Sequence, residues 1–249
     1  MKYILLALLY FVALNFTIIA QPIAKHTQLL IIGTKHNGNK YITFKTIYAA
    51  IKKYQPNIIL WEQHVKFKKV FGLSTIHFFK IAKPSLEQLA IQKYLRYNKQ
   101  VKVYPFDTTF NRLKYIAEFT TIDGAINNGL NNIKMAQPDS LVYAAWSYKN
   151  NVYANVLNNN GLDSLNKPTI FNMAKILKAL DTAVILPLAK KYLNNSTLIY
   201  AFEQRILFWN ARNLFMVNQI KKYITQFEDK KILVITGLSH KYFLVNELK

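Results

Sequence analysis

Two short stretches of the chain place the same residue types in the same order. Leu29 to His36 reads LLIIGTKH, an apolar run followed by Gly33-Thr34-Lys35-His36. Ile232 to His240 reads ILVITGLSH, a second run followed by Gly237-Leu238-Ser239-His240. Between them, Ile58 to Trp61 runs directly into Glu62, and Val101 to Tyr104 leads through Pro105-Phe106 to Asp107. Imidazoles and carboxylates leaving the ends of apolar strands are suited to two chemistries. Two His and a carboxylate make a ligand set for a divalent metal with open positions. The same groups can supply a general base and an orienting acid with no metal. Both readings stand at this stage, with Glu62 either a ligand or the base for a bound water.

Other candidates are weaker. Asp107 follows Pro105 closely and could cap a helix starting near Thr108 instead of joining a site. His64, two residues past Glu62, is a reserve ligand. His77 lies among Phe71, Phe78 and Phe79 and reads as packed, and His26 reads as a surface residue. No Gly-x-Ser-x-Gly elbow, P-loop or dinucleotide fingerprint occurs. The absence of Cys removes disulfides, thiolate catalysis and Cys-ligated zinc or iron–sulfur clusters.

Arginine is informative because it is scarce. Of 33 Lys and Arg residues, only Arg96, Arg112, Arg205 and Arg212 are arginine. Where a point charge suffices the chain uses Lys, so an Arg marks a need for a planar, forked donor. Arg205 and Arg212 are seven residues apart and share a face of one helix. They are expected at the site, pairing with Glu62 or clamping a substrate anion; a solvated pair is the plainer alternative.

The elements that would position these groups follow from periodicity. Leu29 to Ile32, Ile58 to Trp61, Val101 to Tyr104 and Ile232 to Thr236 read as buried strands, each Gly breaking its strand so that the backbone turns or lies close to a ligand. Tyr41 to Tyr54 and Leu86 to Tyr97 read as helices between them. Strand–helix–strand order predicts parallel pairing with right-handed crossovers, hence one common edge for the strand ends. Asn111 to about Tyr200 changes character: amphipathic segments near Arg112 to Phe119, Pro138 to Tyr148 and Thr169 to Leu193, joined by Asn-rich connectors, with no strand. Leu198 to Phe227 reads as a long helix with a stripe from Phe202 to Ile224, and Tyr242 to Leu248 as a closing helix. The predicted fold class is therefore α/β, a mostly parallel central sheet flanked by helices, with a helical insertion at about 111–200 over the carboxyl edge of the strands.

Composition bounds the rest. The chain has 249 residues and is 51% hydrophobic, enough for one core-bearing domain over 21–249. Its net charge of +21 raises nucleic acid as a partner. The lysines are scattered and no nucleic-acid-binding motif accompanies them, so a solvated basic surface is expected and no nucleic-acid partner. Met1 to Ala20, one Lys then a long apolar run ending Ile-Ile-Ala, reads as a signal peptide cleaved before Gln21, which places the mature protein in the periplasm or outside the cell. An uncleaved N-terminal membrane anchor is the competing reading. No later stretch is apolar enough to span a bilayer.

Gly33-Thr34-Lys35-His36, Leu60-Trp61-Glu62 and Gly237-Leu238-Ser239-His240, extended by Trp209-Asn210-Ala211-Arg212-Asn213, together resemble the TraB/GumN and Tiki group. That group belongs to a broad superfamily with erythromycin esterase-like and ChaN-like proteins. The resemblance covers Leu29 to Asp107 and Glu203 to Leu248. It implies a hydrolase of peptide or ester bonds acting on a small-molecule or peptide substrate, with manganese or cobalt as the metal for Tiki-like members. His36, His240 and Glu62 would hold that metal, with Arg212 in the catalytic set. Arg205, Asp107 and Asn213 would contact substrate. Other relatives bind haem or have no known activity, so a non-catalytic small-molecule or haem-binding envelope protein is the alternative.

Overall fold

A computed structural model describes residues 27–64, 84–108 and 112–248, with backbone alone at 63–64 and 112–117. Met1 to Ala20, His26 and His77 lie outside the described residues, as does the His64 side chain. The core is a four-stranded, wholly parallel sheet of β1 (Gln28–Thr34), β2 (Ile58–His64), β3 (Lys102–Asp107) and β4 (Lys231–Gly237) in the order β1-β4-β2-β3. β4 is the last strand in sequence and is inserted between the first two. It is consequently the most apolar: Ile232 to Ile235 are all fully buried.

Both faces of the sheet are covered, which is why its strands are near-continuous apolar runs instead of alternating ones. Side chains still alternate between two cores. Ile59, Trp61, Leu233 and Ile235 pack with helices α1 (Phe44–Tyr54) and α2 (Leu86–Tyr97). Ile58, Leu60, Ile232 and Val234 pack with the far half of the long helix described below. Helix α1 starts later than its periodicity suggests, because Asn39 Oδ1 accepts from the backbone N–H groups of Tyr41 and Ile42 and holds them in a turn. Thr43 and Thr46 then form a reciprocal cap, and Gln55 in the left-handed region (φ 54°) ahead of Pro56 ends the helix.

Three strand ends differ from the periodicity reading. Gly33 does not break β1, which runs on to Thr34, whereas Gly237 is the last residue of β4; the two glycines lie one position apart in the β1–β4 register. β3 continues through Pro105 to Asp107, which an edge strand tolerates because its outer side needs no ladder donor. β2 extends to His64 with a register shift between Trp61 and His64, an irregularity that straddles Glu62 and re-aims it.

The helical segment comprises α3 (Arg112–Asn131), α4 (Gln137–Asn159), the short α5 (Leu162–Leu165), α6 (Pro168–Leu180) and α7 (Leu186–Tyr192), with a π-helical turn, Asp181–Ile185, between the last two. Ile126, Leu130, Tyr143, Ile185, Leu188 and Ala189 give it a core of its own. It is not confined to the strand ends: Phe171 and Ala174 of α6 join the core on one sheet face. Helix α8 (Ser196–Gln226), 31 residues long, ties the parts together. Phe202 near its start belongs to the helical core, and Met216 to Ile224 cover the sheet. Helix α9 (Leu238–Glu247) starts directly after β4, four residues earlier than Tyr242. Among the described residues, no helix is long and apolar enough to cross a membrane.

Asn166, just after α5, caps the outer edge of β1: its Oδ1 accepts from Gly33 N–H (2.7 Å) and its Nδ2 donates to Gly33 O (2.9 Å). Lys241 of α9 donates to Asn166 Oδ1 (2.6 Å) and to its carbonyl (3.2 Å), and among the described residues no carboxylate pairs with this buried ammonium. Burial pushes its pKa down to about 8. The unfolded chain, with an ordinary lysine near 10.5, therefore binds more protons between about pH 8 and 10.5, and this group makes the protein more stable as pH rises through that window. At pH 7 the whole penalty is present. Lys241→Met is expected to raise stability at pH 7 by on the order of 1–3 kcal/mol and to flatten the alkaline rise. Urea melts at pH 7 and pH 10 would check this; an unchanged rise would assign it to another group.

Candidate functional site

β1, β2, β3 and β4 deliver His36, Glu62, Asp107 and His240 to one edge of the sheet. Glu62, with a side chain only 2% exposed, is at the centre. Its Oε2 accepts from the Thr236 hydroxyl (2.8 Å) and from Gly237 N–H (2.5 Å), where β4 turns into α9. Its Oε1 accepts from Arg212 Nη2 (2.9 Å). The two imidazoles face that same oxygen, His36 Nε2 at 3.8 Å and His240 Nε2 at 3.9 Å.

Hydrogen-bond logic fixes both rings. His36 Nδ1 lies 2.9 Å from Glu87 Oε1, and a carboxylate can only accept, so Nδ1 carries the proton. His240 Nδ1 lies 2.7 Å from Asn213 Oδ1. Asn213 Nδ2 donates to the Trp209 carbonyl (2.8 Å), which sets the amide orientation and leaves its oxygen to accept from the ring. Each ring therefore turns its Nε2 toward Glu62. The surroundings differ. His36 follows β1 in a turn and its side chain is 36% exposed. His240 sits in the first turn of α9, is 4% exposed, and stacks on Trp209 with centroids 4.3 Å apart and planes at 16°. The same Gly-x-x-His pattern thus ends in two different backbone settings.

Arg212 uses its fork on the protein. Nε and Nη2 donate to Asp107 Oδ1 (3.0 Å) and Oδ2 (2.7 Å), and Nη2 also reaches Glu62. Burial alone would lower its pKa; Asp107 and then Glu62 outweigh this and hold it above the ordinary arginine value, so it is always charged. Of the two roles expected of it, the pairing with Glu62 is the one seen, with Asp107 added, so that it ties two strand-end carboxylates together. Asp107 joins the cluster; its Oδ1 also accepts from Thr108 N–H (2.7 Å), a bond to the next residue and not a helix cap, since the next described helix starts at Arg112. Asn213 orients His240. Arg205 is not brought to this cluster: it pairs with Asp123 (2.6 Å) and Asp181 (2.9 Å) within the helical segment. Seven residues on one helix face span two full turns, enough to separate the two arginines by the gap between the two cores.

Two contributors were not expected. Glu87 is buried in the first turn of α2 and accepts from His36 and from the Thr34 hydroxyl (2.6 Å). Burial by itself would raise its pKa, but the hydrogen bond and charge of His36, with the Thr34 bond, bring it below the ordinary value. In the sequence, an acid three residues after Pro84 looks like nothing more than a complement to the helix dipole. Thr236 is the second, hidden inside a β-branched strand run.

Gly237 is needed for space. A Cβ there would lie 2.8 Å from His36 Nε2 and 3.4 Å from Glu62 Oε2. Gly237→Ala is expected to displace the His36 ring, cost about 1–3 kcal/mol, and abolish any function of the cluster, while Gly124→Ala, mid-helix with nothing within 4 Å, leaves that ring in place and stabilises by about 0.5–1 kcal/mol. Thermal melts and the His36 imidazole NMR shifts would report it; an unmoved His36 signal would contradict the geometry.

The residues do not fit a divalent ion. Both Glu62 oxygens already accept hydrogen bonds, and an ion on Oε1 would stand beside the Arg212 guanidinium, like charge against like in a low-dielectric site. Among the described residues, no group of three or more His, Asp or Glu side chains converges as a metal cage.

No family model matches the chain, and no curated protein does. Among solved structures, a mutant of the erythromycin esterase EreC in its open conformation is similar at a TM-score of 0.34 and 16% identity, over 88% of this chain. The chain spans 62% of the length of that structure.

Proposed function

We propose that the protein is a metal-independent hydrolase of an ester or amide bond, with His36 and His240 as a paired base and acid. The reading is carried by one observation: two imidazole Nε2 atoms, one from the turn after β1 and one from the first turn of α9, face a single carboxylate oxygen while each Nδ1 is held by a protein partner. A water held on the His36 side loses its proton to one Nε2 as its oxygen attacks the substrate carbonyl. The other imidazole, protonated, gives its proton to the leaving oxygen or nitrogen as that bond breaks. Glu62 stabilises whichever ring is cationic, and Glu87 and Asn213 hold the rings in place. Arg212 holds Glu62 in place. His36 is the solvent-facing member, so it is the natural entry for water and the point of proton exchange with bulk.

The test is turnover of a panel of chromogenic esters and anilides by mature protein, with and without EDTA. The expected result is hydrolysis that chelation does not reduce, with a bell-shaped pH dependence because one ring must be charged and the other neutral. Loss of turnover on chelation, restored by manganese, would return the metal to His36, His240 and Glu62. No turnover together with a saturable Soret band on adding haem would favour the binding-protein alternative.

A further inference from the structure

β1 is an edge of the sheet, and part of its outer side is unpaired. In a parallel ladder, alternate residues turn both backbone groups toward the same neighbour. Gly33 gives its N–H and C=O to the Asn166 side chain, away from β4, so Leu29 and Ile31, of the same parity, aim theirs outward as well. Among the described residues, nothing bonds to these four groups. Exposed edges are normally blunted by a charge, a proline, a bulge or a covering segment. Gln28 to Ile32 carries no charge and no proline, keeps a regular register with β4, and leaves Leu30 36% exposed.

Two hollows meet along this edge and share Leu30 and Ile31. One, of about 860 Å³, lies against α1 and α5, with Ala50, Tyr54 and Leu162 in its wall. The other, of about 340 Å³, lies against α6 and α9, with Phe171 and Val245 in its wall. An extended segment laid along β1 would pair with Leu29 and Ile31 and bury apolar side chains against these walls. The end of the edge selects the partner. Asn166 takes the place of the next pairing residue, so an added strand stops there. Lys241, which lines both hollows, donates to Asn166 twice and lies 5.2 Å from the Phe171 ring, and no carboxylate among the described residues balances it. Lys53 and Asp163 on the rim offset each other, which leaves Lys241 to set the sign of the groove. A strand parallel to β1 brings its carboxyl end to this ammonium; an antiparallel one brings its amino end, like charge against like. A second copy of the chain, with a net charge of +21, would meet itself cation to cation.

We propose that the β1 edge binds the carboxyl-terminal end of an extended apolar peptide, which pairs in parallel with Leu29 and Ile31 and sets its terminal carboxylate on Lys241. The buried ammonium, unbalanced in the free protein, then gains its counter-charge. The proposal goes beyond the hydrolytic reading and does not rest on it. Peptide binding without turnover, or the reverse, would separate the two.

The experiment is fluorescence anisotropy of the full mature chain with N-terminally labelled hexapeptides of alternating Val and Thr, or of alternating Leu and Ser, each as the free acid and as the C-terminal amide. Saturable binding of at least one free acid is expected below about 100 µM. Amidation should weaken it tenfold or more, and so should Lys241→Met, which relieves a buried charge and therefore folds at least as well. Leu29→Pro deletes one outward N–H and no ladder bond, and is expected to weaken binding similarly. Protein with native far-UV circular dichroism that binds neither acid overturns the proposal. So does binding indifferent to amidation, to Lys241→Met or to Leu29→Pro. A concentration-dependent dimer in sedimentation, abolished by Leu29→Pro, would overturn it in favour of a second copy on this edge.

Discussion

His36→Asn and His240→Asn are each expected to lower kcat/KM, for any ester the wild type turns over, by roughly 10²- to 10⁴-fold. Asn is the informative replacement. Its amide can keep the hydrogen bond that Nδ1 makes, to Glu87 in one case and Asn213 in the other, while Nε2 is deleted. Far-UV circular dichroism and the melting midpoint should therefore hold. Because the two rings share one oxygen of Glu62, they act as a unit, and the double variant should cost about as much as the worse single one. Loss of less than threefold in both singles would remove the pair from the reaction. Costs that multiply in the double variant would mean two independent roles.

The largest stability effect is expected at Arg212. Arg212→Met keeps most of the volume and removes the charge, leaving Glu62 and Asp107, 2% and 1% exposed, as uncompensated buried carboxylates. Breaking a buried pair from one side costs about 3–5 kcal/mol, a large share of the total stability of a domain. Arg212→Lys should lose less, because a point charge restores one contact but not the three bonds of the fork. Arg205→Met makes a useful contrast. Of its two partners, Asp123 is 37% exposed and is hydrated once the arginine is gone, and Asp181, 10% exposed, keeps Lys178 at 3.2 Å, so a smaller loss is expected. Midpoints of urea unfolding at constant m-value decide between these. Equal losses at the two arginines would show that burial of the partner carboxylates does not set the cost.

Much of this arrangement was legible in the chain alone. Four apolar runs alternating with helical periods dictate a parallel sheet, and parallel strands must end on one edge. That places His36, Glu62, Asp107 and His240 together before any coordinates exist. The scarcity of arginine likewise marked Arg205 and Arg212 as users of a fork, and each does make a forked ion pair. What each fork holds was not legible. Both arginines lie on one helix face, and only the position of α8 across two cores assigns one to the sheet edge and the other to the helical segment. The strand order is also tertiary: β4 enters between β1 and β2, and that insertion brings Gly237 N–H and Thr236 onto Glu62. The choice between metal ligation and acid–base chemistry was equally closed to the sequence, since the same three residues serve both. It turns on Arg212, which stands beside the carboxylate an ion would need; the Nδ1 bonds to Glu87 and Asn213 suit a metal ligand and a proton carrier alike. Local patterns determine which residues reach the edge, because strand direction is a local consequence of alternation; what those residues do there depends on partners 27 to 175 positions away, and only packing chooses them.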